Sequence, residues 1–498
     1  MRDETGDRRN AVAEQESADL QFSQDSYINR GEKGNQDMIS NIKCRENSRD
    51  NQKREQAMDM LHGPLTGKIF LFTLPIMFSS VLQLLFNAAD IIVVGRFAGS
   101  NALAAVGSNS SLINLLVNLL VGLSVGSAVT VAFYYGAGDL KQVSETIHTS
   151  VAISVLGGIL ALSIGLILSP VMLEWMDTPE NILNQSILYL RIYFLGMPAM
   201  MIYNFGSSML RSLGDTKRPL YYLAVGGIIN VVLNVILVAG FHLDVAGVAV
   251  ATVVSQVVSA GLTIRHMVSM EEELRLKWRQ IRITRSKLLR ILRIGLPAGI
   301  QSTIFSFSNV LIQSSINGFG ELAVAGNSAA SNIEGFIYVS MNAFYQSAQT
   351  FTSQNVGGRQ YGRINRVFLN CGVMVVLTGL ILGQLACFFG TPLLEIYLPD
   401  HPQAIRYGLT RMEVIAATYF LCGLMDVLSG MLRGMGESVL PMFVSLVGSC
   451  LLRVIWIYTV FAADHTLHVL YLSYPVSWVL TESVHFMCYL YVKRRLAK

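Results

Sequence analysis

The residues of this sequence that could do chemistry are the ionisable side chains inside its long apolar stretches. A charge within a membrane-spanning helix is costly, so each of these residues is a candidate for ion or substrate binding. Asp90 is the most informative of them. Asn87 precedes it by three residues, so the two side chains can share one face of a helix.

Three further polar side chains are expected at the depth of Asp90. Asn230 and Asn234 are four residues apart on one helix face, and Thr252 lies in the next apolar stretch. Counted from the outer helix ends at roughly 1.5 Å per residue, Asp90, Asn234 and Thr252 lie within a few ångströms of each other along the membrane normal. A carboxylate, two amides and a hydroxyl at one depth could hold a proton or Na⁺. The alternative is that Asp90 is a permanently protonated structural acid that is bonded to the asparagines.

The helices that position these residues belong to a duplicated sequence. Leu74-Pro75 recurs 222 positions later as Leu296-Pro297, and the run 209–211 (Met-Leu-Arg) recurs as 431–433 at the same spacing. Asn87 likewise recurs as Asn309. Duplicated hydrophobic halves are typical of secondary transporters, whose substrate path lies at the interface of the repeats.

The composition predicts that most of the chain faces lipid. Of 498 residues 52% are hydrophobic and only 14% are charged, whereas soluble proteins carry about 25% charged residues. Twelve apolar runs are each long enough to cross a bilayer as a helix, which takes about 20 residues. They are residues 69–94, 108–134, 147–170, 184–207, 219–240, 245–267, 288–314, 330–355, 367–389, 405–430, 438–462 and 467–492. Strands of a β-barrel are far shorter, so we expect an all-α integral membrane protein with twelve transmembrane helices.

Basic residues are concentrated in alternate loops, which predicts the orientation. These loops contain Lys141, Arg211 to Arg218, Arg275 to Arg293, Arg359 to Arg366, Arg433, and Lys493 to Arg495. By the positive-inside rule both termini are cytoplasmic. Each half then starts on the same side of the membrane, so the two six-helix repeats are parallel.

The composition also divides the chain into segments. Residues 1–62 are polar and poor in aromatics, which predicts a disordered cytoplasmic tail; alternatively, translation starts at Met58 or Met60. A six-helix N-terminal lobe, residues 63–267, precedes a basic cytoplasmic linker, residues 268–287, and a C-terminal lobe, residues 288–492. Residues 493–498 form a short cytoplasmic tail.

The charged residues of the second half differ from those of the first. Glu334, Asp426 and Arg453 lie in apolar runs, and the positions that match Asp426 and Arg453 in the first half are uncharged. We expect Glu334, Asp426 and Arg453 to bind a cationic substrate or to control gating, although Arg453 could equally neutralise Asp426 or Glu482. Tyr338, Met341 and Tyr345 would suit bulky organic cations; the alternative is that they merely pack.

No enzyme chemistry is indicated. The sequence lacks a Walker A loop and a His-Glu-x-x-His pair. Its six cysteines have no metal-like spacing, and a net charge of +4 implies no nucleic acid. We therefore predict a protein without enzymatic activity, metal site or cofactor, driven by an ion gradient.

Several motifs resemble the multidrug and toxin extrusion (MATE) family. They are the stretches 73–99, 209–220, 226–238, 245–256, 351–360 and 420–441, and the resemblance extends over residues 63–492. It implies two six-helix bundles that form a V around a central cavity. It also implies H⁺- or Na⁺-coupled antiport that exports mostly cationic drugs and toxic metabolites.

The resemblance places a cation site at the positions of Asp90, Asn230, Asn234 and Thr252. Many relatives carry Asp at the position of Asn234, and an Asn cannot take up a proton. Asp90 would then be the only titrating group at the site, which favours one ion per cycle. One branch of the family forms a second Na⁺ site in the other lobe. The glutamate that this site uses has no counterpart in this sequence.

These observations predict a cation-coupled multidrug exporter in a bacterial-type cell membrane. Its partners would be small organic cations and membrane lipid, and the family resemblance suggests a monomer. The alternative is a flippase for lipid-linked saccharides of the same superfold, which would need a wider and more basic cavity.

Overall fold

Twelve long helices follow one another in the computed structural model, which describes residues 58–176, 178–399 and 401–496. The first half contains α1 (Leu65–Ala98), α2 (Gly99–Gly136), α3 (Leu140–Trp175), α4 (Glu180–Leu195 and Met197–Ser212, bent by 47°), α5 (Lys217–Gly240) and α6 (Asp244–Val268). The second half contains α7 (Arg285–Asn317), α8 (Glu321–Gly357), α9 (Tyr361–Phe388), α10 (Pro402–Gly434), α11 (Val439–Ala463) and α12 (Leu467–Leu496). A short helix, Gly390–Glu395, follows α9.

The all-α membrane fold is confirmed. Among the described residues, eight helices are long and apolar enough to cross a membrane, and the bent α4 makes a ninth. The other three, α7, α8 and α12, have 33, 37 and 30 residues but do not meet the same combined limits on hydropathy and charge. In α8 the cause is visible, because its last turns carry Gln, Asn, Ser and Thr side chains that are buried in protein instead of facing lipid.

The sequence repeat is also a structural repeat. Gly214 and Gly436, which are 222 residues apart, end α4 and α10 with φ of 98° and 90°. The next residues make matching bonds: Asp215 N donates to Leu210 O, and Glu437 N donates to Leu432 O, both at 3.0 Å. Glycine is needed at both turns because this left-handed backbone conformation is strained for other residues.

The side of the bundle on which α1 begins, called the inner side here, is predicted to be cytoplasmic. Residues 58–63 pack against it: Asn355 Nδ2 donates to Met60 O at 3.2 Å, and Arg363 Nη2 donates to Gly63 O at 3.0 Å. Met60 is fully buried. Met60, near the end of the predicted tail, is thus in contact with the bundle, whereas residues 1–57 lie outside the described residues.

The two halves meet near the inner side, where α2 packs against α7 and α8. Gly122, Gly126, Gly295 and Gly299, called the glycine seam here, lie at the α2–α7 contact. A Cβ added to Gly126 would lie 2.2 Å from the carbonyl oxygen of Ile291, and one on Gly122 would lie 2.3 Å from Cα of Gly299. The small-residue spacings seen in the sequence thus allow two helix backbones to approach closely.

Candidate functional site

A chain of polar side chains joins α1, α5 and α6 in the first half. Asn234 Nδ2 donates to Asp90 Oδ1 and also, at 3.2 Å, to Asn230 Oδ1. Asn230 Nδ2 in turn donates to Thr252 Oγ1 at 3.4 Å. The structure therefore brings four of the five predicted coupling residues into one cluster, as the depth estimate anticipates.

Two π-helical turns lie next to this cluster. One, Val94–Ala98, follows Asp90 in α1, and the other, Val235–Gly240, begins directly after Asn234 in α5. The two turns contact each other. A π turn is wider than an α turn and often occurs at functional sites. Both turns lie within one or two helical turns of the cluster.

Asn87 lies apart from the cluster. Its side chain lines a central cavity between the two halves, and among the described residues it makes no hydrogen bond with Asp90. Two tyrosines of α4 take its place near the acid. Tyr189 and Tyr193 are stacked with ring centroids 6.1 Å apart, and both interact electrostatically with Asp90. Neither was identifiable from spacing alone, since only the fold brings these tyrosines near Asp90.

The chemistry available to the cluster follows from its charge. Among the described residues, no basic side chain lies within 4 Å of Asp90. The carbonyl oxygen Oδ1 of Asn234 is buried without a partner, which is costly unless something pairs with it. A carboxylate with amide and hydroxyl oxygens, and no competing cation, suits a proton or a hard cation such as Na⁺.

Glu334 lies in a different environment. It forms a two-pronged salt bridge with Arg411 of α10, with Arg411 Nη2 2.7 Å from Glu334 Oε2 and Arg411 Nε 3.1 Å from both oxygens. Asn327 accepts from Arg411 Nη1 at 2.7 Å and from the Tyr471 hydroxyl at 3.3 Å. Glu334 is buried, and it is absent from the lining of the central cavity.

Arg411 is a buried ion-pair partner that the sequence analysis missed, although its charge within an apolar run was a usable signal. Its repeat mate in the first half is Tyr189, and the mate of Glu334 is Leu112. The second half thus holds a neutralised acid, whereas the acid of the first half has no basic partner.

Breaking this ion pair should destabilise the protein. We expect Glu334→Gln to lower the free energy of unfolding by about 3–5 kcal/mol, because Arg411 would keep a buried charge without compensation. The measurement is the apparent Tm of the purified protein in detergent. The double variant Glu334→Leu/Arg411→Tyr, which copies the repeat mates, should recover most of the loss. An unchanged Tm for Glu334→Gln would show that the pair contributes nothing.

The central cavity has a volume of about 470 Å³ and is lined by both halves. Asp426, Tyr338 and Tyr345 line this cavity. Met341 of α8 instead packs against α9 and α10, beside Gly379 and Gly423. Asp426 interacts electrostatically with Tyr338 and with Arg433. Its repeat mate, Asn204, lines the same cavity from the first half.

Two arginines also line this cavity. The positive-inside pattern assigns Arg211 and Arg433 to loops, but the structure places them in the last turns of α4 and α10. The polar stretches between apolar runs resemble loops in sequence, although the helices continue into them. Arg211 and Arg433 are repeat mates, so each half contributes one guanidinium.

Arg453 is buried away from these groups. Its guanidinium lies 4.2 Å from the ring centroid of Tyr474, and its Nε donates to Ser477 Oγ at 3.0 Å. Within the described part of the chain it has no carboxylate within 4 Å, so it does not pair directly with Asp426 or Glu482. Aromatic rings stabilise this charge instead.

Comparison with known proteins gives a consistent result. The sequence model of the family described as MatE matches residues 75–236 and 297–459. The two matches begin 222 residues apart, which is the spacing of the repeat.

Curated proteins of similar sequence cover most of the chain. The probable multidrug resistance protein YoeA of Bacillus subtilis is 27% identical over 388 residues, which are 76% of this chain and 82% of that protein. The probable multidrug resistance protein NorM of Thermotoga maritima is 26% identical over 384 residues, or 75% and 81% of the two chains.

Solved structures share the fold. An outward-facing multidrug resistance MATE family transporter of the MOP superfamily is 22% identical, with a TM-score of 0.82, and covers 88% of this chain and 98% of its own. A MOP superfamily transporter from Pyrococcus furiosus matches with a TM-score of 0.83 and the same coverage.

Proposed function

Because this chain belongs to the MatE family, a family of multi-pass membrane transporters, we propose that it is a cation-coupled antiporter that exports organic compounds. The observation that carries the proposal is the Asp90 cluster. Asp90 is held by Asn234, next to an unpartnered buried oxygen, and has no basic residue within 4 Å among the described residues. Such an acid can exchange its bound cation, whereas a salt-bridged acid such as Glu334 cannot do so readily.

The proposed cargo is a drug-like compound with a positive charge. The cavity volume lies within the range of small-molecule sites, about 300–1,000 Å³. Asp426 supplies a carboxylate, and the rings of Tyr338 and Phe305 line the same space. Carboxylates and aromatic faces attract organic cations. The relatives that are named multidrug resistance proteins support a drug as the cargo.

Transport would proceed by alternating access. The halves are in contact at the inner side, through the glycine seam and through Gln354 Nε2, which donates to Ser212 O at 2.7 Å. We propose that this state is closed to the cytoplasm and that both termini are cytoplasmic. The protein would act as a monomer in the cell membrane, without a cofactor and without enzymatic activity.

The experiment that tests this function also identifies the coupling ion. Purified protein in proteoliposomes should move ethidium when a pH or Na⁺ gradient is imposed, because the ion bound at Asp90 must leave for the cycle to continue. The initial rate is measured under each gradient separately and with protein-free liposomes. Gradient-dependent movement under one condition identifies H⁺ or Na⁺. Equal rates with and without both gradients would contradict antiport.

The flippase alternative has one observation in its favour, the two cavity arginines. Arg211 and Arg433 make the cavity more basic than the sequence suggests. A volume of about 470 Å³ is small for a lipid-linked saccharide, however. We therefore keep drug export as the proposed function.

A further inference from the structure

We propose that Arg211 and Arg433 together form a subsite for an anionic group of the cargo, so that the preferred cargo is amphoteric. The proposal rests on the proposed export function and specifies its substrate class. Such a cargo would carry a cationic group near Asp426 and a carboxylate or phosphate near the arginines.

The arginines converge on one turn of α8. Arg211 Nη1 donates to Gln346 Oε1 at 2.7 Å, and Arg433 Nη1 donates to the hydroxyl of the adjacent Tyr345. Arg433 Nη2 also donates to Gln301 Oε1 at 2.7 Å. All five residues line the central cavity. Two guanidinium groups from opposite halves are therefore brought to the same region of the cavity.

Neither arginine is saturated by the protein. A guanidinium has five N–H donors; within the described residues Arg211 uses one of them and Arg433 uses two. The Nε atoms of both are buried without a hydrogen-bond partner. Buried donors left unpaired are costly. Here the two repeat mates, Arg211 and Arg433, both lack a partner for Nε. A ligand with acceptor oxygens would remove it.

The charges of the cavity lining also favour an anionic group on the cargo. Asp426 is the one carboxylate that lines it among the described residues, facing two guanidiniums. The described residues place no carboxylate within 4 Å of Arg211 or Arg433. With Asp426 ionised, the cavity lining carries a net charge of +1. A cargo that is only cationic would bind this lining less tightly than a cargo that also carries a carboxylate or phosphate, because that anionic group could bind the planar forks with two bonds.

Two dyes that differ in a single group test the subsite. Rhodamine 110 carries a cationic ring system and a free carboxylate, and rhodamine 123 is its methyl ester. Binding is measured by fluorescence anisotropy, without any ion gradient, to the full chain in phosphatidylcholine nanodiscs. We expect the wild type to bind rhodamine 110 more tightly by about tenfold or more, since charge-assisted bidentate bonds are lost on esterification.

The variants assign the preference to the arginines. Arg211→Gln and Arg433→Gln should bring the two affinities to within about threefold of each other, mainly through the loss of rhodamine 110 binding. Arg433→Lys keeps the positive charge but lacks the planar pair of N–H donors. It replaces Arg433→Gln in the experiment if that variant does not fold. Asp426→Asn should weaken both dyes and leave their ratio unchanged. Lys217→Gln removes an equal charge outside the cavity and should change neither affinity.

Three results would overturn the subsite. Equal binding of both dyes to the wild type would show that the carboxylate is not recognised. Equal weakening of both dyes in the arginine variants would make the arginines structural. Displacement of rhodamine 110 by phosphatidylglycerol in the nanodisc would assign them to a lipid headgroup. A dye preference that persists where gradient-driven transport fails would preserve the subsite and refute only the coupling.

Discussion

Asp90→Asn should abolish gradient-driven transport while the protein still folds and binds cargo. The substituted amide keeps the size of the side chain, and its oxygen can still accept a hydrogen bond from Asn234, as the carboxylate of Asp90 does. It cannot take up or release a proton, and it removes the negative charge that Na⁺ needs. The gradient-dependent initial rate should therefore fall to that of protein-free liposomes.

The assay is ethidium movement in proteoliposomes under the gradient that drives the wild type. Asp426→Asn is the matched control, because it makes the same chemical change in the central cavity instead of the cluster. It should weaken cargo binding, but the transport that remains should still depend on the gradient. Gradient-driven transport that survives in Asp90→Asn would make Asp90 a structural acid and direct attention to Asp426.

Gly126→Val should open the inner side and stop the cycle in one orientation. Its Cβ would lie 2.2 Å from the Ile291 carbonyl oxygen and 2.8 Å from the Gly295 nitrogen. These are backbone atoms, so they cannot move aside as a flexible side chain can, and α2 must separate from α7. Overpacking of this kind costs about 1–3 kcal/mol, which changes a two-state population by roughly 5- to 150-fold.

The separation can be measured between the inner ends of the halves. Spin labels at Ala137→Cys and Gln360→Cys, in a chain without other cysteines, should show a longer distance in Gly126→Val than in the parent. Gly261→Val is the matched control, since a Cβ at Gly261 has no atom within 4 Å. It should change neither the distance nor the transport rate. An unaltered distance in Gly126→Val would show that the seam does not hold the inner side closed.

Much of the candidate ion site was accessible from the sequence. The spacing of Asn230 and Asn234 gives a shared face, and helix rise gives the depth of Asp90 and Thr252. Both are properties of single helices, so they are computable without knowing the packing. Asn87 shows what cannot be predicted in this way. It shares a helix with Asp90, yet its side chain lines the cavity. Which face of α1 meets the cavity and which meets the cluster depends on how α1 packs against other helices.

The charged residues of the second half could not be assigned in this way. Glu334 is an isolated acid in sequence, and only the packing of α8 against α10 pairs it with Arg411. Arg211 and Arg433 have the sequence context of loop residues, and only the assembled halves make them part of a cavity. Partner identity depends on which helix faces meet, and no spacing within one helix determines it.

The sequence by itself determined the number of long helices, their order, the duplication and the acid of the first half. These follow from hydropathy, helix length and spacing, which act along the chain. The tertiary structure decided which charges are neutralised, which polar groups remain unpaired, and where the halves touch through glycine. Those features depend on contacts between residues more than 70 positions apart in the chain, such as Glu334 with Arg411 and Asp90 with Asn234, so they arise only when the helices pack.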